Sequence, residues 1–221
     1  MNTTNIALVL NSTWQTLIMV FFSSVFSTIL GLPIGIALFI TRPESDGGIV
    51  PNRWVNVVLG KIVNVLRSFP FIILMILLIP LSRFVVGSGI GTAATIIPLS
   101  IAAAPFVARV VESSLSEIDS GVIQAGRAMG STNAQIIFKI MLFEALPGLI
   151  NGFTLTVINL IGYSAMAGAL GGGGLGDLAI RYGYQRFQTD IMIMSIVVII
   201  LLVEIVQMLG NKIAMRISSK R

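Results

Sequence analysis

Forty-one residues pass before the chain reaches its first charged side chain, Arg42. A bilayer core needs about 20 apolar residues per helix, and in lipid a backbone segment must satisfy its own polar groups. The run from Trp14 to Ile40, opened by an interfacial tryptophan and closed by Arg42-Pro43, therefore predicts a membrane-spanning helix. It lacks the basic leader region of a cleaved signal peptide and is longer than one. The same test predicts four more spans: Leu59 to Leu81, Gly91 to Ala108, one in the uncharged tract between Glu144 and Asp177, and one between Asp190 and Lys212 with Glu204 as its single charge. A soluble domain would carry about a quarter charged residues, whereas this chain carries 10%. The expectation is an all-α, polytopic membrane protein with five transmembrane helices. A single transmembrane domain over residues 1 to 221, with no sizeable soluble part, is expected. No internal repeat is visible, and five spans do not divide into the equal inverted halves of many secondary transporters.

Orientation follows from the cations. With the N-terminus outside, Arg42, Arg53, Lys61, Arg67, Arg109, Arg127, Lys139, Lys212, Arg216, Lys220 and Arg221 fall inside, eleven of the 14 lysines and arginines. Only Arg83, Arg181 and Arg186 fall outside, an asymmetry of the positive-inside kind that also makes the C-terminus cytoplasmic. The net charge of +5 is thereby explained by the membrane, and nucleic acid is not an expected partner. The chain has neither cysteine nor histidine, so the usual thiolate and imidazole metal ligands and the usual general base are missing. A non-catalytic subunit is the expectation.

One cytoplasmic stretch is too polar to cross a bilayer and too regular for a linker: GVIQAGRAMGSTNAQIIFKIMLFEALPG, residues 121 to 148. Ser120 as N-cap and Gly130 as a left-handed stop predict a short helix over residues 121 to 129. Ser131-Thr132-Asn133 then supplies turn and cap chemistry for a second, over roughly 134 to 143. Val122, Ala125, Gly126 and Met129 share one face of the first, apolar and nearly flat, expected to point outward. Ile136, Ile137, Ile140 and Met141 form a broader stripe on the second, expected to lie against the ends of the spans. Two readings of the first helix stay open: an interfacial helix at the headgroups, or a shallow face laid in a protein groove. Gly126 suits the second better.

In the fourth span, Gly152, Thr156, Asn159, Tyr163 and Met166 recur at spacings of four, three, four and three and so share a helical face. Such a face turns toward the bundle or toward a water-filled path. Met166, a flexible thioether between small residues, suits an external gate. GGGGLG, residues 171 to 176, is not a phosphate-binding loop, because no lysine follows at the required spacing. On the external side, with Asp177, Arg181, Tyr182, Tyr184 and Arg186 nearby, it reads as a hinge or docking loop. Arg67 and Glu204 fall near the cytoplasmic ends of their spans, within reach of water or headgroups.

QAGRAMG followed by KIMLFEALPG resembles the EAA loop of ABC importer permeases, usually Glu-Ala-Ala, three residues, Gly, then about nine residues to Ile-x-Leu-Pro. Gln124 stands where that family has Glu, Gly126 where it has Ala, and Phe143 where Pro is frequent. TRP, LRSFPFIILMILLIPLSR, IPLSIAAAPFVARVVESSL and GYSAMAGALGGGGLGDLAIRYGY extend the resemblance to the methionine-importer permeases, from about residue 12 onward. The resemblance implies a type I ABC importer permease fold with a cytoplasmic coupling loop at about 112 to 146. In it, Val122, Gln124, Ala125, Gly126, Arg127, Met129 and Gly130 meet a separate ABC ATPase subunit, present in two copies. It also implies a second copy of this permease, an extracytoplasmic methionine-binding protein and the lipid of a bacterial inner membrane as partners. ATP with Mg would sit on the ATPase, leaving this chain without a cofactor, and the substrate would be methionine, including its D-isomer. The alternatives are an ABC importer of another amino acid or small solute, a stand-alone channel or secondary transporter, and a membrane anchor.

Overall fold

The computed structural model describes residues 3–219. Lys220 and Arg221, counted above with the cytoplasmic cations, lie outside the described residues. The described residues form helices joined by turns, with no strand among them: α1 (Thr3–Ile40), a 3-10 turn (Glu44–Asp46), α2 (Arg53–Ser68), α3 (Phe71–Val86), α4 (Thr92–Ser116), α5 (Ser120–Ala128), α6 (Asn133–Gln135), α7 (Leu142–Glu144), α8 (Leu146–Gly168), α9 (Gly174–Leu178) and α10 (Thr189–Ser218). Wide π turns join α6 to α7 (Ile136–Met141) and follow α9 (Ala179–Tyr184).

Four helices, α1, α4, α8 and α10, are long and apolar enough to cross a membrane. The fifth crossing differs from its expected form. Residues 59 to 81 do not make one rod: α2 ends at Ser68, α3 starts at Phe71, and the pair is bent by 103°. The cause is in the sequence, because Pro70 disfavours helical backbone at Phe69 and then caps α3 with φ −60° and ψ 127°. Two other boundaries also move. Trp14 lies inside α1 instead of opening it, and α4 continues past Ala108 to carry Arg109 and Glu112 on helix.

The chain forms two compact units. The first comprises residues 1–27, 69–103 and 155–208. Its core joins Met19 and Val20 of α1, Phe71 and Met75 of α3, Leu99 and Ala103 of α4, and Leu160, Ile161 and Ala167 of α8. A smaller cluster packs Val9 with Leu175, Leu178 and Ile191.

The second unit comprises residues 28–68, 104–154 and 209–221. Its core runs from Ile36 and Phe39 through Val107, Val111 and Leu115 to Ile123, Ile136, Ile137, Met141, Ala145 and Leu149. Gly31 and Gly35, four residues apart on α1, let α4 cross at backbone distance. A Cβ on either would come within about 2.6 Å of Ala104 or Ala108 carbonyls and of Val107 or Val111. Small residues at this spacing are how helices approach closely where lipid removes the hydrophobic drive.

Candidate functional site

The cytoplasmic stretch folds as two short helices joined at a corner. Asp119, not Ser120, is the N-cap of α5, its carboxylate accepting from Gly121 N at 2.7 Å. Gly130 takes the left-handed conformation at φ +76°, and Ser131 N donates to Gly126 O at 3.1 Å to close the turn. Thr132 opens the second helix with a reciprocal capping box: its hydroxyl accepts from Gln135 N, while Thr132 N donates to Gln135 Oε1.

The π turn that follows explains the burial of its stripe. On an α-helix Ile136 and Met141 would stand about 140° apart, whereas an i to i+5 turn brings them closer to one face. Both are fully buried, with Ile137 nearly so and Ile140 half-buried, on the second unit's core.

The outward face of α5 is not the one its spacing predicts. Gly126 is buried and faces home with Ile123: a Cβ on Gly126 would stand 2.7 Å from Ile140 Cδ1. Gly126 thus lets α5 press onto the π turn, and it is removed from the flat outward set. Val122 is half-buried, while Gln124, Ala125, Arg127, Ala128, Met129 and Gly130 are exposed, Met129 at 76%. The exposed surface combines an amide, a guanidinium and a thioether around an alanine. Arg127 pairs with Glu44 at 3.7 Å, but both side chains are exposed and such a pair contributes little.

A charge knot that the sequence reading passed over lies in the same unit. Glu112, 6% exposed, accepts from Arg42 at 2.7 Å and from Arg109 at 2.5 Å. Arg42 also donates to Ser116 Oγ, and Arg109 reaches Asn64 Oδ1 at 2.8 Å and Gly60 O at 3.4 Å. The knot ties the chain just after α1 to α2 and α4, one helix before α5. The available signal was the Arg109-x-x-Glu112 spacing, which predicts a helical ion pair once α4 extends beyond Ala108. Arg67 and Glu204, the charges singled out instead, are exposed on α2 and α10.

The five residues expected along one face of α8 separate. Gly152 is buried against Val110, whose Cγ1 would be 1.9 Å from an added Cβ, so it is a packing position. Thr156 is also buried. Tyr163 is half-buried and stacks on Phe71 with ring centroids 4.7 Å apart. Asn159 and Met166 are exposed, Met166 at 48%, and with Asn151, Leu155 and Gly162 they make the stripe that α8 presents. The observed stripe is rotated from the expected one and keeps two of its five members.

GGGGLG forms a turn tied to α1. Gly171, Gly173 and Gly174 take positive φ, and the turn is tied to α1, Gly174 N donating to Gln15 Oε1 and Leu175 N to Thr16 Oγ1, each at 2.9 Å. A Cβ on Gly174 would meet Thr16 Oγ1 at 2.6 Å and Met19 Cε at 2.7 Å. Close packing of the turn is what calls for glycine at these positions. Beyond it, Tyr182 is flanked by the guanidiniums of Arg181 and Arg186, 5.4 and 4.4 Å from its ring, and Arg181 pairs with Asp177.

The chain is similar to known proteins in both sequence and fold. The chain is 46% identical over 216 residues, 98% of its length and 95% of the relative's, to the probable D-methionine transport system permease protein MetI of Vibrio cholerae. It is 50% identical over 205 residues to the protein of the same name from Pasteurella multocida, with 93% of each chain covered. Its fold matches a chain of the MetNI methionine ABC transporter, solved in inward-facing conformations, with a TM-score of 0.95, 45% identity and coverage of 98% and 99%. An amino acid ABC transporter solved with histidines matches with a TM-score of 0.71 at 17% identity, which speaks for the fold alone. Residues 31–218 match the family model for binding-protein-dependent transport system inner membrane components, and the chain belongs to that family.

Proposed function

We propose that this chain is the membrane-spanning permease subunit of an ATP-driven methionine importer, with L- and D-methionine as its substrates. The reading rests on near full-length similarity to D-methionine permeases together with one structural observation: the packing of α5. Ile123 and Gly126 seat that helix on the π turn, in the same buried cluster as α1, α4 and the start of α8. A push on the exposed side of α5 is therefore delivered to three spanning helices.

In this scheme two ABC ATPase subunits bind ATP and Mg and receive α5 through Gln124, Ala125, Arg127, Met129 and Gly130, with Val122 at the edge. Two copies of the permease line the path, Asn159 and Met166 facing it from α8. Met166 closes its outer end. An extracytoplasmic binding protein delivers methionine, and the N-terminus lies outside with the C-terminus in the cytoplasm, in a bacterial inner membrane. The permease itself carries out no chemistry.

The experiment is ATP-driven uptake of labelled methionine into vesicles holding this chain, its ATPase and its binding protein, with other amino acids in competition. Uptake that needs all three components and is blocked only by methionine isomers supports the reading. Uptake without ATP, or a protein that brings down no ATPase on purification, sinks it.

A further inference from the structure

The helix α2 is long, ordered and only partly used by the fold. Asn56, Leu59, Val63 and Leu66 face home, Asn56 donating to Leu38 O at 2.7 Å and Leu59 and Val63 packing with Leu38 and Ala108. The remaining surface divides into two arcs. At 100° per residue, Trp54, Val58, Ile62 and Val65 fall in one arc, 82%, 50%, 50% and 58% exposed. Arg53, Lys61, Asn64 and Arg67 fall in the neighbouring arc and are also exposed, with the exposed Val57 among them.

A spanning helix would not carry three cations along one flank. A helix lying in the plane of the headgroups would, with tryptophan and aliphatic side chains on one side and lysine and arginine on the other. Two further observations bear on the occupant. Arg109 reaches over Asn64 and Gly60 of α2 while sharing a single carboxylate with Arg42, so the knot beside the polar arc keeps a net positive charge. A cleft of about 330 Å³ lined by Arg53, Trp54 and Val57 then sets a cation beside apolar walls. Free phosphate would match the cations but leave Trp54, Ile62 and Val65 bare, whereas a lipid supplies the phosphate and the hydrocarbon together.

We propose that α2 is an interfacial helix that binds anionic phospholipid, Arg53, Lys61 and Arg67 meeting headgroup phosphates and Trp54, Val58, Ile62 and Val65 entering the acyl boundary. The membrane crossing in this region is then made by α3 alone. The proposal rests on the reading of the chain as an inner-membrane permease with its cation-rich side facing the anionic leaflet. Each cation near such a surface contributes a factor of about five in preference.

The test measures depth. The chain has two tryptophans, Trp14 and Trp54. In a Trp14→Phe background, Trp54 fluorescence is quenched by lipids brominated at known positions along the acyl chain. The measurement is repeated with Val65→Trp in a background where Trp14 and Trp54 are both Phe. An interfacial α2 gives shallow quenching at both positions. A spanning α2 puts residue 65 about 16 Å deeper than residue 54 and overturns the proposal. Absence of lipid quenching at both overturns it as well, in favour of a protein or water-facing surface.

Lipid retention on the purified permease supplies the second arm. From mixed phosphatidylglycerol and phosphatidylcholine the wild type should retain the anionic lipid at least ten-fold in preference, and Arg53→Gln/Lys61→Gln/Arg67→Gln should lose that preference. Equal retention by the wild type overturns the anionic part. Both arms are read without transport, so failure of the importer reading would register separately, in the uptake assay.

Discussion

Glu112 holds two guanidiniums at once while itself 6% exposed. Removing the shared partner of a buried pair leaves both cations uncompensated, which costs more than a surface ion pair returns. Because the arginines are about a quarter exposed, the loss is set at about 2 kcal/mol, below the fully buried case. Glu112→Ala should therefore lower the melting temperature of the detergent-solubilised permease by several degrees. Glu112→Gln should recover part of that, and an unchanged melt would make the knot an idle contact. Gly152 allows a sharper test of packing against path lining. Gly152→Ala drives a methyl into Val110 and should depress stability, while Val110→Ala alone leaves a small cavity and a mild loss. If Gly152 packs, the double variant should melt above Gly152→Ala, a coupling that a path-lining glycine would not produce.

At the scale of elements, what was legible depended on whether a signal was local. The corner of the cytoplasmic stretch could be read because Gly130 and the Thr132 to Gln135 box are local chemistry, and the structure keeps them within a residue or so. The facing of α5 could not, since a four-residue apolar face does not say which of its members a neighbour will bury. The Ile140 and Ile136 side chains, against which Gly126 packs, settle it inward. The break before α3 was written in Ser68-Phe69-Pro70, but mean hydropathy reads through it. The π turn has no sequence signature at all. It is selected by the core's need to bury both Ile136 and Met141. This packing separates two variants that the flat-face reading would equate. Gly126→Trp must displace the Ile140 side chain, so it should lower both the melting temperature and ATPase association. Ala125→Trp, on the exposed side, should abolish association while the melt stays within a degree or two. If Ala125→Trp leaves association intact, α5 is not the contact. Gln124→Glu should be tolerated, because Gln124 is exposed.

For the whole molecule, the four long spanning helices were legible because bilayer thickness imposes a length on every apolar run, whereas the fifth expected span is the bent α2–α3 pair. The lining of the path was not, because it depends on which side of α8 the rest of the chain leaves uncovered. Gly152 and Thr156 are buried by neighbours, so the polar face inferred from spacing becomes packing, while Asn159 and Met166 stay on the surface. An exposed asparagine at membrane depth is costly against lipid, so a second copy of the chain or water must cover it. Met166, seven residues further along the same stripe, is flanked by Ala165 and Ala167, leaving its thioether room to swing. Met166→Ala should then raise substrate leak or ATP hydrolysis uncoupled from uptake in reconstituted vesicles, with ATPase association unchanged. Met166→Leu, close in volume, should restore most of the seal. Because the chain has no cysteine, Met166→Cys adds a single reporter. Its reaction with a membrane-impermeant thiol reagent should change when ATP and vanadate hold the ATPase closed. A leak, coupling ratio and labelling rate that all stay at their original values would remove Met166 from the gate and leave Asn159 as the residue to test next.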